Sequence, residues 1–288
     1  MSATPFTPPL PTADAVSLQW QGLAGASLGL AVAEAARTQS RIVVVADSPR
    51  ELQLLESEIR FFLPTGAPPL RRLPEWECLP YDHFSPHPEI TSERLQTLAC
   101  LSRGESAIVL LTLEALQGRL PPVDFVLGRS FRLSSGTDID FMSLRAQLPQ
   151  VGYLAVSQVM APGEYAIRGG VFDIFPMGSD SPFRLDLFGD EIQSIRYFDP
   201  ETQKSTRNTS QLEILPAREF PLEDVAIEQF RANYRREFAG DPQSSFTPLP
   251  RKTSRQVILT SRSLRKNSIH FQQISTIFML EMRVLMET

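Results

Sequence analysis

Two short apolar runs set the first limit on the fold of this chain: Arg41–Ala46 (RIVVVA) and Ser106–Leu113 (SAIVLLTL). Unbroken β-branched and aliphatic runs of this length, without polar alternation, suit strands buried on both faces of a parallel sheet. Parallel strands need crossover helices, and the sequence supplies them. Gly22–Ala36 reads as a loop running into a helix with Leu28, Ala31, Val32 and Ala35 on one face. Asp47 or Ser48 can cap a second helix, with Pro49 in its first turn and Glu51–Phe62 as its body, before Pro64–Pro69 breaks it. A further helix is expected around Glu114–Gly118. Strands alternating with helices imply an α/β layer.

After Pro121–Pro122 the pattern changes. From about Val123 to Phe198 the chain reads as strands in meander order with one helix, Asp138–Leu148, capped by Thr137 or Asp138. This is an α+β segment, and Glu223–Phe238 then reads as helix again. The length of 288 residues, 42% of them hydrophobic, suffices for two cores and excludes global disorder. A net charge of −5 argues against a protein built to coat DNA or anionic lipid. Two cysteines, Cys78 and Cys100, make neither a disulfide framework nor a zinc site. No basic n-region with an apolar h-region opens the chain, and Ala15–Ala33 is too polar to span a bilayer, so a cytosolic protein is expected. The charge is uneven: residues 1–242 carry 21 basic and 31 acidic side chains, net −10, and residues 243–288 carry seven and two, net +5.

Gly22, Gly25, Leu28 and Gly29 sit where a phosphate loop would precede a helix in such a layer. A working loop needs a Lys for the β/γ-phosphates and a Ser or Thr for magnesium. Those places read Leu28 and Gly29, so neither ATP hydrolysis nor a bound cofactor is expected. His83 and His87, with Asp82 and Glu89, suggest metal ligands, but Pro86 and Pro88 forbid the helix that would align the imidazoles, so no metal site is expected. No Ser/His/Asp or Cys/His constellation is identifiable, and Asp190–Glu191 reads as a solvated turn. The chain is therefore not expected to be an enzyme.

The informative stretch is Glu164–Phe198. Alternation puts Tyr165 and Ile167 on one face and Glu164, Ala166 and Arg168 on the other, with Gly169-Gly170 suited to a bulge or a close backbone approach. In Phe183–Phe188, Phe183, Leu185 and Leu187 face the core, leaving Arg184, Asp186 and Phe188 outward. An arginine beside an outward aromatic fits an interface hot spot. It equally fits a quiet surface in which Arg184 pairs with Asp186 or Glu191 and Phe188 tucks under the turn. The residue pattern leaves both open.

Leu73-Pro-Glu-Trp76-Glu-Cys-Leu-Pro80-Tyr81-Asp82-His-Phe84-Ser85-Pro86-His87, followed by Glu93-Arg94-Leu95, resembles the aromatic/proline segment of the UvrB-like module. Gly163-Glu164-Tyr165-Ala-Ile-Arg168-Gly169-Gly170-Val-Phe-Asp173-Ile-Phe175-Pro176 is similar to that module's interaction domain. Together they most resemble the N-terminal part of the bacterial transcription-repair coupling factors, from about Val16 to Pro242. The resemblance implies a degenerate P-loop-like parallel-sheet layer at 14–122, an inserted α+β domain of UvrB-interaction type at 123–213, and a return segment at 214–242. Residues 1–13 would be a disordered terminus. It also implies that the module mimics UvrB and recruits UvrA through Arg168, Arg184 and Phe188. DNA and RNA polymerase would be reached only through domains this chain does not contain.

Residues 243–288 do not match the family's continuation. Their basic, Ser/Thr-rich, glycine-free composition leads us to expect a frameshifted or divergent tail on a truncated module, with an apolar helix at Phe271–Met286 as the alternative. Two other functions compete: a UvrB-like ATP- and DNA-binding repair subunit, and a nucleic-acid-binding module that uses the basic tail.

Overall fold

The structure, a computed structural model, describes residues 4–10, 19–78, 85–237 and 278–280. In chain order its elements are α1 (Ser27–Ala35), β1 (Arg41–Ala46), α2 (Pro49–Phe62), β2 (Leu70–Arg72), α3 (Pro88–Ser102), β3 (Ala107–Thr112), α4 (Leu113–Gln117), α5 (Val123–Gly128), β4 (Phe131–Ser134), α6 (Phe141–Gln147), β5 (Leu154–Ala155), β6 (Glu164–Arg168), β7 (Val171–Ile174), β8 (Phe183–Phe188), β9 (Glu191–Phe198), β10 (Ser205–Thr209), β11 (Gln211–Ile214), α7 (Asp224–Glu237) and β12 (Phe278–Leu280). The described residues of 4–75, 100–118 and 278–280 form one unit, and those of 76–99 and 119–237 a second. The described residues of 76–99, which the sequence reading counts with the first layer, cluster with the second unit.

The first unit is a parallel sheet in the order β12-β1-β3-β2. The two apolar runs are its central neighbours, in register from Arg41 opposite Ala107 to Ala46 opposite Thr112. Every residue of β3 is buried, and Ile42, Val44, Ile108 and Leu110 pack with Val32, Ala35, Leu52, Leu55 and Ile59. Each such side chain contributes about 1.5–3 kcal/mol by leaving water. Ser48, with Pro49 behind it, caps α2 by accepting from the Glu51 amide at 3.3 Å. Glu51 in turn accepts from the Asp47 amide at 3.0 Å, so the chain bonds reciprocally across the helix start in the manner of a capping box. Phe278–Leu280 pairs in parallel with Ile42–Val44. These residues are strand, not part of a helix over Phe271–Met286; the rest of that segment lies outside the described residues. The terminus read as disordered includes a turn closed by Thr7 N donating to Thr4 O, and Trp20 Nε1 donates to Pro9 O at 2.9 Å.

The second unit is built on a six-stranded sheet, order β10-β9-β8-β7-β6-β5, antiparallel except for β5 against β6. Strands β4 and β11 pair separately, Phe131 opposite Ile214. The cross-strand rows Tyr165–Ile174–Phe183–Tyr197 and Ile167–Phe172–Leu185–Ile195 face the core. There they meet Leu144, Leu148, Phe125, Val126, Leu133 and Leu212. Buried Arg94 holds Glu219 by two hydrogen bonds, 2.6 and 3.2 Å, with its guanidinium 4.3 Å from the Trp76 ring centroid. Burial pushes the Glu219 carboxyl up against the pull of Arg94. Tyr153 donates to Leu215 O and accepts from Met177 N, pinning two segments from the core.

Two expectations need correction. Residues 123–198 hold two helices, because Pro122 starts α5, which buries Phe125 and Val126. The later helix begins at Phe141 with Asp140 as its cap, accepting from Ser143 N at 2.9 Å. Thr137, Asp138 and Ile139 cannot serve there, since their backbone pairs with Asp190–Ile192. Helix α3, which the sequence pattern does not place, begins at Pro88, after His87, in the first turn, where proline's missing N–H costs nothing.

Candidate protein-docking site

The same alternation that buries one face of the six-stranded sheet puts a polar row on the other: Ala166, Asp173, Arg184 and Arg196, each opposite the next. A second row, Arg168, Val171, Asp186 and Ser194, runs beside it. Two hairpin turns lie at the end of these rows. Gly169-Gly170 joins β6 to β7 and Gly189-Asp190 joins β8 to β9, with Gly169 at φ +59° and Gly189 at φ +62°. The first turn packs against strand β8. Leu187 N donates to Gly170 O at 2.7 Å, and a Cβ on Gly170 would lie 2.8 Å from Leu187 O. Of the two readings of Gly169-Gly170, the close backbone approach is the one realised, within a turn and not a bulge.

Arg168 and Phe188 are the last strand residues before these turns. Phe188 is 77% exposed, not tucked under its turn. Arg184, 19% exposed, does not pair with Asp186 or Glu191. Its Nε and Nη2 donate to the two carboxylate oxygens of Asp173 at 2.7 and 2.9 Å, its Nη1 donates to Gln203 O at 3.0 Å, and it lies 4.8 Å from the Phe198 ring. The bonds to Asp173 hold this guanidinium still more firmly protonated than usual. Arg168, 52% exposed, donates to the same Asp173 carboxylate, which is itself fully buried. One enclosed carboxylate thus fixes two guanidiniums on the sheet face that also bears an exposed phenyl ring. Such a surface can accept carboxylates by charge-assisted bonds and bury an apolar contact between them.

Asp173 and Gln203 escape the strand pattern. Asp173 lies on the outward side of its own strand, but its partner is chosen by register, which one strand's alternation does not supply. Gln203 reaches Arg184 through a turn, with backbone φ at +60°, held by Nε2 bonds to Val159 O (3.1 Å) and Pro200 O (2.7 Å). Nothing in its neighbours signals this. Ala166, read as outward, is covered by a small cluster of Val159, Phe175 and Phe198.

The phosphate-loop positions are used differently. Gly22 and Gly25 take positive φ in the loop before α1. Leu28 packs against the first core, and Gly29 lies where α1 meets α2: a Cβ there would come 2.5 Å from Glu58 Cβ. Among the described residues no group of three His, Cys, Asp or Glu could hold a metal ion. His87 lies 3.7 Å from Glu89, and His83 and Asp82 lie outside the described residues. Among the described residues no helix is long and apolar enough to cross a membrane.

Residues 131–220 match the UvrB interaction domain family. The chain is 44% identical over 183 residues to the transcription-repair-coupling factor of Haemophilus influenzae, covering 62% of this chain and 16% of that protein. It is 38% identical over 234 residues to that of Escherichia coli, covering 80% and 20%. It is 34% identical over 210 residues to that of Myxococcus xanthus, covering 71% and 18%. The chain thus spans a fifth or less of the length of these curated relatives. It carries a UvrB interaction domain and belongs with the transcription-repair-coupling factors as a relative of their N-terminal module.

Proposed function

We propose that this chain is a docking module of transcription-coupled repair, and that the sheet face bearing Arg168, Arg184 and Phe188 recruits UvrA without catalysis by the chain itself. The observation that carries the reading is Phe188: a phenyl ring 77% exposed at a hairpin end, on the same sheet face as guanidiniums already fixed by Asp173. A large exposed aromatic next to arginine is the composition of an interface hot spot. The packing of Leu28 and Gly29 into helix contacts supports a module without nucleotide chemistry.

The test is titration of purified UvrA into the chain and into its Phe188→Ala variant. Loss of the ring weakens binding by about 2 kcal/mol, as truncated hot spots do. Affinity unchanged in this variant contradicts the reading.

A further inference from the structure

The polar face of the six-stranded sheet carries a third guanidinium, Arg196, directly opposite Arg184 in the register of β8 against β9. Like charges directly opposite on neighbouring strands destabilise a sheet, so the pair costs the fold something that Asp173 does not remove for Arg196. Asp173 is taken by Arg168 and Arg184. Arg196 instead donates through Nη2 to Asp186, whose Oδ2 also accepts from Ser194 Oγ at 2.6 Å. That bond uses one of the five N–H donors of the group. Its Nε is buried without a hydrogen-bond partner, while 34% of the side chain remains exposed. Asp186 precedes Phe188 by two residues on the same face, so Arg196 reaches along the sheet toward the exposed ring.

Donors therefore exceed acceptors on this face. Its central carboxylate, Asp173, is enclosed, and Asp186, though 38% exposed, is already engaged by Arg196 and Ser194, so the unused hydrogen-bonding capacity of the face is mainly guanidinium N–H. Charge complementarity calls for a partner segment carrying carboxylates, one for Arg168 and Arg184 and another for Arg196, with an apolar seat for Phe188. We infer that Arg196 is a further contact residue of the docking surface and binds a carboxylate of the UvrA-type partner. This rests on the docking reading above.

The experiment titrates UvrA into the full chain and into Arg196→Gln, Asp186→Asn and Phe188→Ala variants, with thermal unfolding as a check on folding. Asp186→Asn breaks the same ion pair but leaves the guanidinium in place, so it separates contact from support. Arg196→Gln is expected to weaken binding about tenfold, the scale of one lost charge-assisted bond, and Asp186→Asn to leave it within about twofold of the parent. Equal losses in those two variants make the ion pair structural and overturn the inference. Unchanged affinity in Arg196→Gln, with Phe188→Ala weakened, overturns the inference and leaves the docking reading standing. Unchanged affinity in both removes the docking reading itself. Should Arg196→Gln unfold, Arg196→Lys keeps charge and stem but loses the planar donor fork; severalfold weaker binding supports the inference, and parental affinity overturns it.

Discussion

Asp173 separates binding from folding among the residues of the docking face. Its carboxylate is fully buried and satisfied by Arg184 and Arg168, whereas the Phe188 ring stands in solvent. Removing Arg184 strips the buried carboxylate of its two-pronged partner, and breaking such a pair from one side costs about 3 kcal/mol. Arg184→Ala is therefore expected to lower the urea midpoint of the second unit clearly, while Phe188→Ala shifts stability by no more than about 0.5 kcal/mol. Equal midpoints for both variants contradict this division. A binding defect in Arg184→Ala alone would then mix two effects, which makes Phe188 the cleaner reporter. The outward placement of Arg184, Asp186 and Phe188 is legible in the alternation of one strand. The partner of Arg184 is not, because a cross-strand neighbour depends on register, and register is set by turns and core rows distant in sequence.

At the scale of elements, the proposed docking face depends on the β6–β7 turn being fastened to strand β8. Gly170 allows the contact: its carbonyl accepts from Leu187 N, and its missing Cβ leaves room for Leu187 O. Gly170→Ala brings a methyl 2.8 Å from that oxygen and is expected to destabilise the unit by about 1–3 kcal/mol. Wild-type thermal stability in this variant refutes the account of the turn. Elements were legible where one signal dominated. The apolar runs became β1 and β3, and Ser48-Pro49 began α2. They were obscured where a local signal served two ends. Pro88, read only for the helix it forbids before it, also opens α3 after it. Likewise Thr137 and Asp138 read as caps, but their backbone is claimed by the strand pairing at Glu191, which moves the helix start to Asp140.

At the scale of the whole molecule, the two units carry separate cores and separate electrostatic clusters. In the first, Glu56 accepts from Arg60 at 2.8 Å and from Arg72. Burial raises the Glu56 carboxyl, but the hydrogen bonds from the two arginines outweigh it, and the net pKa lies below the usual 4.5. A carboxylate held lower in the folded state stabilises above its unfolded pKa and loses that contribution as pH falls through the folded one. The first unit is thus expected to lose thermal stability as pH drops below about 4.5, and Glu56→Gln to lose less over the same interval. Identical pH profiles for parent and variant contradict the assignment. The tail shows how far composition carries: its charge marks it as different, but only the structure pairs Phe278–Leu280 with β1.

The central claim concerns one face of one sheet, and amide hydrogen exchange of the full chain with and without UvrA tests it most directly. The account predicts that UvrA slows exchange around both hairpin ends, at residues 168–171 and 186–191, and along Arg196. Protection confined to the parallel layer around α1 and β1, or no protection at these hairpin ends at saturating UvrA, contradicts it.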